Sequence, residues 1–541
     1  MEPSMSHPLP SVMKHNFSQV PKAEIQRSSF DRSHGCKTTF DAGYLVPVFV
    51  DEALPGDTFN VDMTAFARMA TPIFPIMDNL FMDSFFFAVP IRLIWDNWKK
   101  FNGEQVNPGD STDFLIPQMV SPAGGYIPDT TSTATTANLA GALSDYFGLP
   151  TRIAGVSHSS LWHRAYNLIW NEWFRDENLQ NSVVVNKGDG PDTYTDYPLL
   201  RRGKRHDYFT SCLPWPQKGP SVPLPLTGNA PVISNHTGIK FATTANNSGE
   251  ATAYISSAAG NPLVASAVPN NSIAFFGSNS GLTADLSAIT AATINQLRQS
   301  FQIQRLYERD ARGGTRYTEI VKAHFLVTSP DARLQRPEYL GGGSSPVSIS
   351  SVAQTSSTNA QPTPLGNLAA FGTAVLHNHG FTHSFTEHCV VIGLVSVRAD
   401  LSYQNGLNRM FSRRTRWDYF WPALSHIGEQ AVLNKEIYCD GSANDALTFG
   451  YQERYAEYRY KPSIITGKLR SNDPVPLDAW HLAQKFLTLP TLSASFIVDN
   501  PPISRIVAVP SQPAFIFDSY IKFIAARPMP TYGVPGLIDH F

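Results

Sequence analysis

The chain has 541 residues, a formal net charge of −2, 42% hydrophobic and 11% aromatic residues, and only 16% Asp, Glu, Lys and Arg. That length exceeds what a single hydrophobic core usually fills, and the apolar fraction is enough for a sizeable interior. A near-neutral balance excludes a protein whose whole surface binds nucleic acid, and charge this sparse points to a surface that largely faces other subunits.

Residues 1–21, MEPSMSHPLPSVMKHNFSQVP, hold no apolar core of signal-peptide length. No later stretch reaches the roughly 18 apolar residues of a membrane helix, so a soluble, unexported chain without membrane insertion is expected. The first strand is expected at YLVPVFV (44–50), the second at TFNVDM (58–63), joined by the turn-forming LPGD. In the second, Phe59, Val61 and Met63 alternate with polar residues, the period of a half-buried strand. NLFMDSFFFAVPI (79–91) reads as a strand apolar on both faces. SSLWHRAYNLIWNEWFRDEN (159–178) is the clearest helix, with Leu161, Ala165, Leu168, Ile169 and Trp173 at helical spacing and Ser159 or Ser160 as cap. Its tryptophans suggest either a ligand platform or, more simply, a helix packed on the sheet. Residues 219–300 carry only Lys240, Glu250, Asp285 and Arg298 as charges, and GIKFATTA and EATAYISS within them alternate as short strands. That region reads as a loop-borne insertion, separating a core part at 1–218 from one at 301–541. Further strands are expected at 316–327, 389–403, 447–460 and 515–528. Strands at both ends with irregular connections favour an all-β antiparallel sandwich over an alternating α/β fold.

Catalytic signatures are missing. TGKL (466–469) lacks the upstream glycine and the hydroxyl of a phosphate loop, and LGGGSSP (340–346) reads as a tight glycine-rich loop. Asp176 and Glu177 are adjacent and diverge, so they cannot flank a glycoside. His377 and His379 alternate in HNHGFTHSFTEH and would share one strand face, but no matched carboxylate pattern accompanies them or His383 and His388, so no metal is assigned. The four cysteines, Cys36, Cys212, Cys389 and Cys439, are far apart and form no C-x-x-C pair, as expected of thiols made in a reducing cytoplasm. Neither an enzyme nor a cofactor is expected.

The strongest signal is a repeated grammar: RRGKRHDYF (201–209) and RRTRWDYFW (413–421) each end a basic run in Arg-x-Asp-Tyr-Phe. Arg201, Arg202, Lys204, Arg205, Arg413, Arg414 and Arg416 supply charges that neutralise phosphates without reading sequence. Tyr208, Phe209, Trp417 and Tyr419 supply rings on which unpaired bases stack, a combination suited to single-stranded nucleic acid. Two readings stand side by side at this point: phosphate contact, or internal and intersubunit ion pairing with the aromatics as core.

These stretches also carry a resemblance. SSFDRSHGCKTTFDAGYLVPVFVDEALPGDTFNVDMTAFARMATPIFPIMDN, YPLLRRGKRHDYFTSCLPWPQKG, HFLVTSPDARLQRPEYLGGGSSP, GLNRMFSRRTRWDYFWPALSHIGEQAVLNKEIY, GYQERYAEYRYKPS and RPMPTYGVPGLIDHF resemble the major capsid protein of gokushoviruses, small tailless single-stranded DNA phages of the microvirus family. The likeness runs nearly the full length, and lapses at 222 to about 300, where that family inserts a variable region. The resemblance implies an eight-stranded antiparallel jelly roll with long loops, a few helices and one large insertion. It implies on the order of sixty copies in a T=1 icosahedral shell around a circular single-stranded DNA genome. Also implied are a threefold protrusion from 219–300 that contacts a host cell-surface receptor, a DNA pilot protein, an internal scaffolding protein, and assembly in the host cytoplasm before residence in the virion. With that resemblance, genome contact is the favoured role for the two basic clusters. A jelly-roll carbohydrate-binding or glycan-processing protein is the alternative, and would require converging carboxylates and an aromatic cleft; a non-capsid single-strand-binding protein would be far more basic.

Overall fold

The computed structural model describes residues 26–131, 133–216, 218–219, 232–234, 239–242, 250–253, 275–276, 282–284, 294–355 and 366–533. The chain divides into two compact units, Met1–Pro216 with Gly314–Phe541, and Gln217–Gly313.

The first unit is built on one antiparallel sheet. Its strands are β1 (Ser28–Asp31), β2 (His34–Phe40), β3 (Val46–Ala53), β4 (Thr58–Met69), β5 (Leu80–Pro90), β6 (Glu338–Ala353), β7 (Leu368–Ser384), β8 (Cys389–Ala399) and β9 (Phe515–Arg527). They pair in the order β1–β9–β4–β7–β6–β5–β8–β3, with β2 also on β9. Taking β2 as the neighbour of β9, the path falls into two four-stranded halves, β2–β9–β4–β7 and β3–β8–β5–β6, joined through the β6–β7 hairpin. That order is consistent with a jelly roll, to which β1 adds a ninth strand beyond the eight expected. The sheet curls on itself: Phe49 of β3, at one end of the path, lies edge-on to Phe523 of β9, near the other, with centroids 5.4 Å apart.

Alternation drives this curl. Phe59, Val61, Met63, Ala65, Ala67 and Met69 of β4 are buried while Asn60, Thr64, Phe66 and Arg68 are exposed, and β9 repeats the pattern from Phe515 to Ala525. Each large apolar side chain so buried contributes roughly 1.5–3 kcal/mol. Strand β8 is buried at every position, being covered on both faces.

Several sequence expectations change. The glycine-rich run at 340–346 is not a loop but part of β6, where Gly341, Gly342 and Gly343 pair with Phe86, Phe85 and Ser84. Gly342 has φ +156°, and a Cβ there would stand 2.0 Å from the Ser84 carbonyl oxygen, so only glycine lets the strands approach. Residues 316–327 form a helix, Tyr317–Phe325, instead of a strand. The Glu319 carboxylate accepts from the Arg316 N–H at its start, and Leu326 at φ +59° ends it, local signals that outweigh the β-branched pair Ile320 and Val321. The strand expected over 447–460 stops at Glu453, because Tyr455 turns the chain at φ +65°.

The helix expected at 159–178 is shorter: an α-helical part, Leu161–Ile169, passes into a π-turn at Trp170–Phe174 before Arg175 becomes extended. Leu161, Ala165 and Ile169 are buried, and the Tyr166 hydroxyl donates to the Leu45 carbonyl at 2.9 Å. Ser160 stands at the cap position but makes no side-chain capping bond, its hydroxyl donating to the Pro117 carbonyl instead. Arg164, fully buried in this helix, holds Asp192 with two hydrogen bonds of 2.6 and 2.7 Å and donates to the carbonyls of Ile94 and Gly188.

In the second unit, Ile239–Ala242 pairs with both Glu250–Ala253 and Phe275–Phe276, and Leu282–Ala284 pairs with Val232–Ser234. The short strands read in GIKFATTA and EATAYISS thus form. A 20-residue helix, Ile294–Gly313, closes the unit. Most other positions of the 219–300 insertion lie outside the described residues.

Candidate nucleic-acid interface

In the first basic stretch, most side chains turn inward. Arg201 places its guanidinium 3.9 Å over the Tyr44 ring and donates to the Ala42 carbonyl and to Asn500 Oδ1. Arg202 donates to Asp83 Oδ2 at 2.6 Å, beside Arg398, which reaches the same oxygen at 2.8 Å, while the Ser344 hydroxyl donates to the other. Lys204 is buried, donating to Gln484 Oε1 at 2.8 Å with its ammonium 4.3 Å from the centre of the Phe496 ring. Burial pushes this ammonium down to about 8, against the pull of Asp499 and Asp207. Burial likewise raises the Asp499 carboxyl to about 6, against Arg202, Lys204 and Arg201. Only Arg205 projects, its side chain 62% exposed and 3.9 Å from Asp400.

The rings that follow are core. Tyr208 and Phe209 belong to a second buried cluster with Tyr403, Val432, Ile437 and Phe449. The Tyr208 hydroxyl donates to Glu436 Oε2 at 2.9 Å. Asp207 shapes the local turn, its Oδ1 accepting from the N–H groups of Phe209 and Thr210 and its Oδ2 from the Tyr403 hydroxyl.

The second stretch is arranged differently. Residues 409–424 run through three short 3-10 turns, Arg409–Phe411, Arg416–Asp418 and Pro422–Leu424. Asp418 accepts from the backbone N–H groups preceding it, Arg414 at 2.9 Å and Thr415 at 2.7 Å, and these bonds hold its carboxyl below the usual range. The shared Arg-x-Asp-Tyr-Phe phrase therefore encodes two unlike turns. Arg413 is internal, 3.3 Å from Glu457 and lying between the Tyr419 and Tyr458 rings. Arg414 and Arg416 are exposed, Arg416 with its guanidinium 4.0 Å over the Trp417 ring. Trp417 is 50% exposed and Tyr419 54%, and three rings not singled out from the sequence join them: Phe411 at 71%, Phe420 at 50% and Trp421 at 47%. Phe420 and Trp421 were visible in the phrase itself; rings this large rarely stay uncovered without a partner.

The structure brings the two stretches together through buried carboxylates. Glu436 accepts from Tyr208 and from Arg409 at 2.9 Å, and Glu457 lies 3.9 Å from Arg409 and 3.3 Å from Arg413. Burial pushes the Glu436 carboxyl up, with Arg409 opposing. Above these buried carboxylates the surface presents two exposed guanidinium groups, that of Arg416 lying over Trp417, and a row of aromatic rings, an arrangement that can meet phosphates and unpaired bases.

No group of three or more His, Cys, Asp or Glu side chains among the described residues is placed to hold a metal. The histidine run shows why. Asn378, at φ +57°, sits in a bulge of β7, leaving His377 exposed and His379 buried instead of on one face. Both His379 ring nitrogens are occupied, by the hydroxyls of Ser84 at 2.8 Å and Ser345 at 3.1 Å. The four cysteines are free thiols, with Cys439 exposed. No helix among the described residues is long and apolar enough to cross a membrane.

The family profile described as Capsid protein (F protein) matches residues 18–537. Capsid protein VP1 of Bdellovibrio phage phiMH2K is 48% identical over 539 residues, covering 98% of each chain. Capsid protein VP1 of Chlamydia phage 1 is 45% identical over 600 residues, again 98% of each, and that of Spiroplasma virus 4 is 36% identical over 555 residues, 97% of each.

Proposed function

This chain belongs to the phage capsid protein (F protein) family, of the gokushovirus type read from its phrases, and from that premise we propose how its copies enclose a genome. As a capsid protein it is a structural component of the virion that assembles with copies of itself, and not an enzyme. In our reading, on the order of sixty copies close into a T=1 icosahedral shell around circular single-stranded DNA. The surface at 413–421 faces the genome, with Arg205 as an outlying contact. The insertion at 219–300 forms a threefold protrusion that meets the host receptor. A DNA pilot protein and an internal scaffolding protein join the assembly, which takes place in the host cytoplasm.

The observation that carries genome contact is the exposed row of Arg414, Arg416, Trp417, Tyr419, Phe420 and Trp421 in a chain of net charge −2. Cations interleaved with stacking faces bind a flexible strand without reading its sequence. Of the other candidate residues, Arg202, Lys204, Tyr208, Phe209 and Arg413 are engaged internally, and in our reading Tyr208 and Arg413, through Glu436 and Glu457, support this surface. Electron microscopy of particles formed by the expressed chain tests the proposal. Closed shells with nucleic-acid density against 413–421 are expected; a persistently monomeric chain, or 413–421 on the exterior, overturns it.

A further inference from the structure

A cleft of about 470 Å³ opens in the first unit between β6 and the π-turn, and no residue of the 413–421 surface lines it. Its volume falls within the roughly 300–1,000 Å³ of small-molecule sites. The apolar wall is aromatic: Phe87, Trp173, Phe174 and Tyr339 line it, with Tyr339 5.5 Å from Phe87 and 5.9 Å from Trp173, centroid to centroid. Tyr339 remains 42% exposed, so one edge of the wall is open to a ligand. The opposite lining is cationic, with Arg175, Arg202, Lys204 and Arg316 against the carboxylates Asp176 and Glu319.

Those cations are not all neutralised. Arg202 is paired with Asp83 and Arg316 with Glu177 and Glu319, but Arg175 makes no ion pair among the described residues, donating only from its Nη1 to the Gln180 carbonyl. The Arg175 Nε is sealed from the cleft, and among the described residues its Nη2 makes no hydrogen bond, which leaves that end of the guanidinium for an anionic acceptor. An apolar peptide side chain would leave that donor unsatisfied, and a neutral sugar would gain nothing from the one guanidinium that lacks an ion pair among the described residues. A ligand with a flat aromatic face and a phosphate meets both walls at once.

We propose that this cleft seats a single nucleotide, its base stacked on Tyr339 at the open edge of the aromatic wall, beside Trp173, whose ring already carries the Arg336 guanidinium, and its phosphate near Arg175, as one unit extruded from packaged single-stranded DNA. The inference rests on the genome-contact reading but assigns a site distinct from the row at 413–421. It also gives the tryptophan-bearing helix of the sequence a ligand role alongside its packing role, since Trp173 contributes to both.

The test uses the purified full chain and equilibrium dialysis against labelled dAMP, with inorganic phosphate and glucose as comparators. One dAMP per chain is expected, inorganic phosphate binding at least about tenfold more weakly because it lacks the stacking face. Tyr339→Ala is expected to weaken dAMP about tenfold or more and Tyr339→Phe to preserve it. Absence of dAMP binding, indifference to Tyr339→Ala, or displacement by glucose overturns the proposal. Anisotropy with a labelled single-stranded oligonucleotide separates the two readings. Binding that is lost with Trp417→Ala in a chain that holds no dAMP sinks the cleft and keeps the genome surface; dAMP held by a chain that ignores the oligonucleotide sinks the genome surface. Should Tyr339→Ala fail to fold, Arg175→Gln, which keeps a hydrogen-bonding end and removes the charge, is expected to weaken dAMP while glucose remains unbound, and unchanged dAMP affinity in that variant overturns the assignment.

Discussion

Replacing Arg205, Arg414 and Arg416 together with Ala removes the candidate cations whose charge is directed outward. Arg202, Lys204 and Arg413 are held by Asp83, Gln484 and Glu457, and Arg201 by backbone and Asn500, so they contribute little to a phosphate contact. For single strands, each neutralised phosphate contributes about 0.7 to the slope of log affinity against log salt. Three lost contacts therefore lower the slope by about 2. The assay is fluorescence anisotropy of a labelled oligonucleotide over a salt series, with folding checked by circular dichroism. Arg202→Ala is the control: it strands Asp83 beside Arg398 and lowers stability, but leaves the slope in place. An unchanged slope in the triple variant, or an equal drop in a folded Arg202→Ala, would refute this division of the cations.

Three further outcomes concern the scaffold. Between pH 8 and 10.5 the unfolded chain keeps a proton on Lys204 that the folded chain has released, so Lys204 makes stability rise with pH through that window. The drop from 10.5 to about 8 corresponds to roughly 3 kcal/mol, and Lys204→Met should abolish that rise in urea denaturation; parallel curves would contradict the burial of its charge. Arg164→Met leaves Asp192 buried without its charged partner, held by neutral donors such as Tyr197 and Asn186, and should cost about 3–5 kcal/mol, most of it recovered with Asp192→Asn added; a loss below about 1 kcal/mol would count against the pair. Gly342→Ala forces a Cβ onto the Ser84 carbonyl at a φ few side chains tolerate and should lower stability by at least about 2 kcal/mol, read as a fall in Tm; an unchanged Tm would mean that β6 can yield there.

The parts of this fold that the sequence made legible are those where one face is wet and the other dry. The alternation from Phe515 to Ala525 and from Phe59 to Met69 announces half-buried strands without help from elsewhere. Glycine is silent to that pattern, so β6, with Gly341 to Gly343 in its first half, reads locally as a loop, and only its pairing with Phe85 and Phe86 makes it a strand. The helix at Tyr317–Phe325 was hidden because Ile320 and Val321 favour strands while its start depends on a single carboxylate, Glu319. At the basic stretches, residue types were readable but commitments were not. Arg202 meets a carboxylate 119 residues away and Lys204 an amide 280 residues away, separations that no local phrase encodes. The full-length kinship was legible in long phrases because it needs no knowledge of contacts.

The pairing of β9 has a bearing on how the polypeptide is made. This strand lies between β4 and the β1–β2 segment, and Lys37 meets Asp518 across 481 residues. Until β9 leaves the ribosome, β4 offers twelve residues of uncovered edge, and the aromatic interior around Phe49 and Phe59 lacks Phe523. A prematurely terminated product therefore carries a sticky, open edge and is a substrate for chaperones and proteases. Pairing of β9 is therefore the step that closes the sheet around the Phe49 and Phe59 interior.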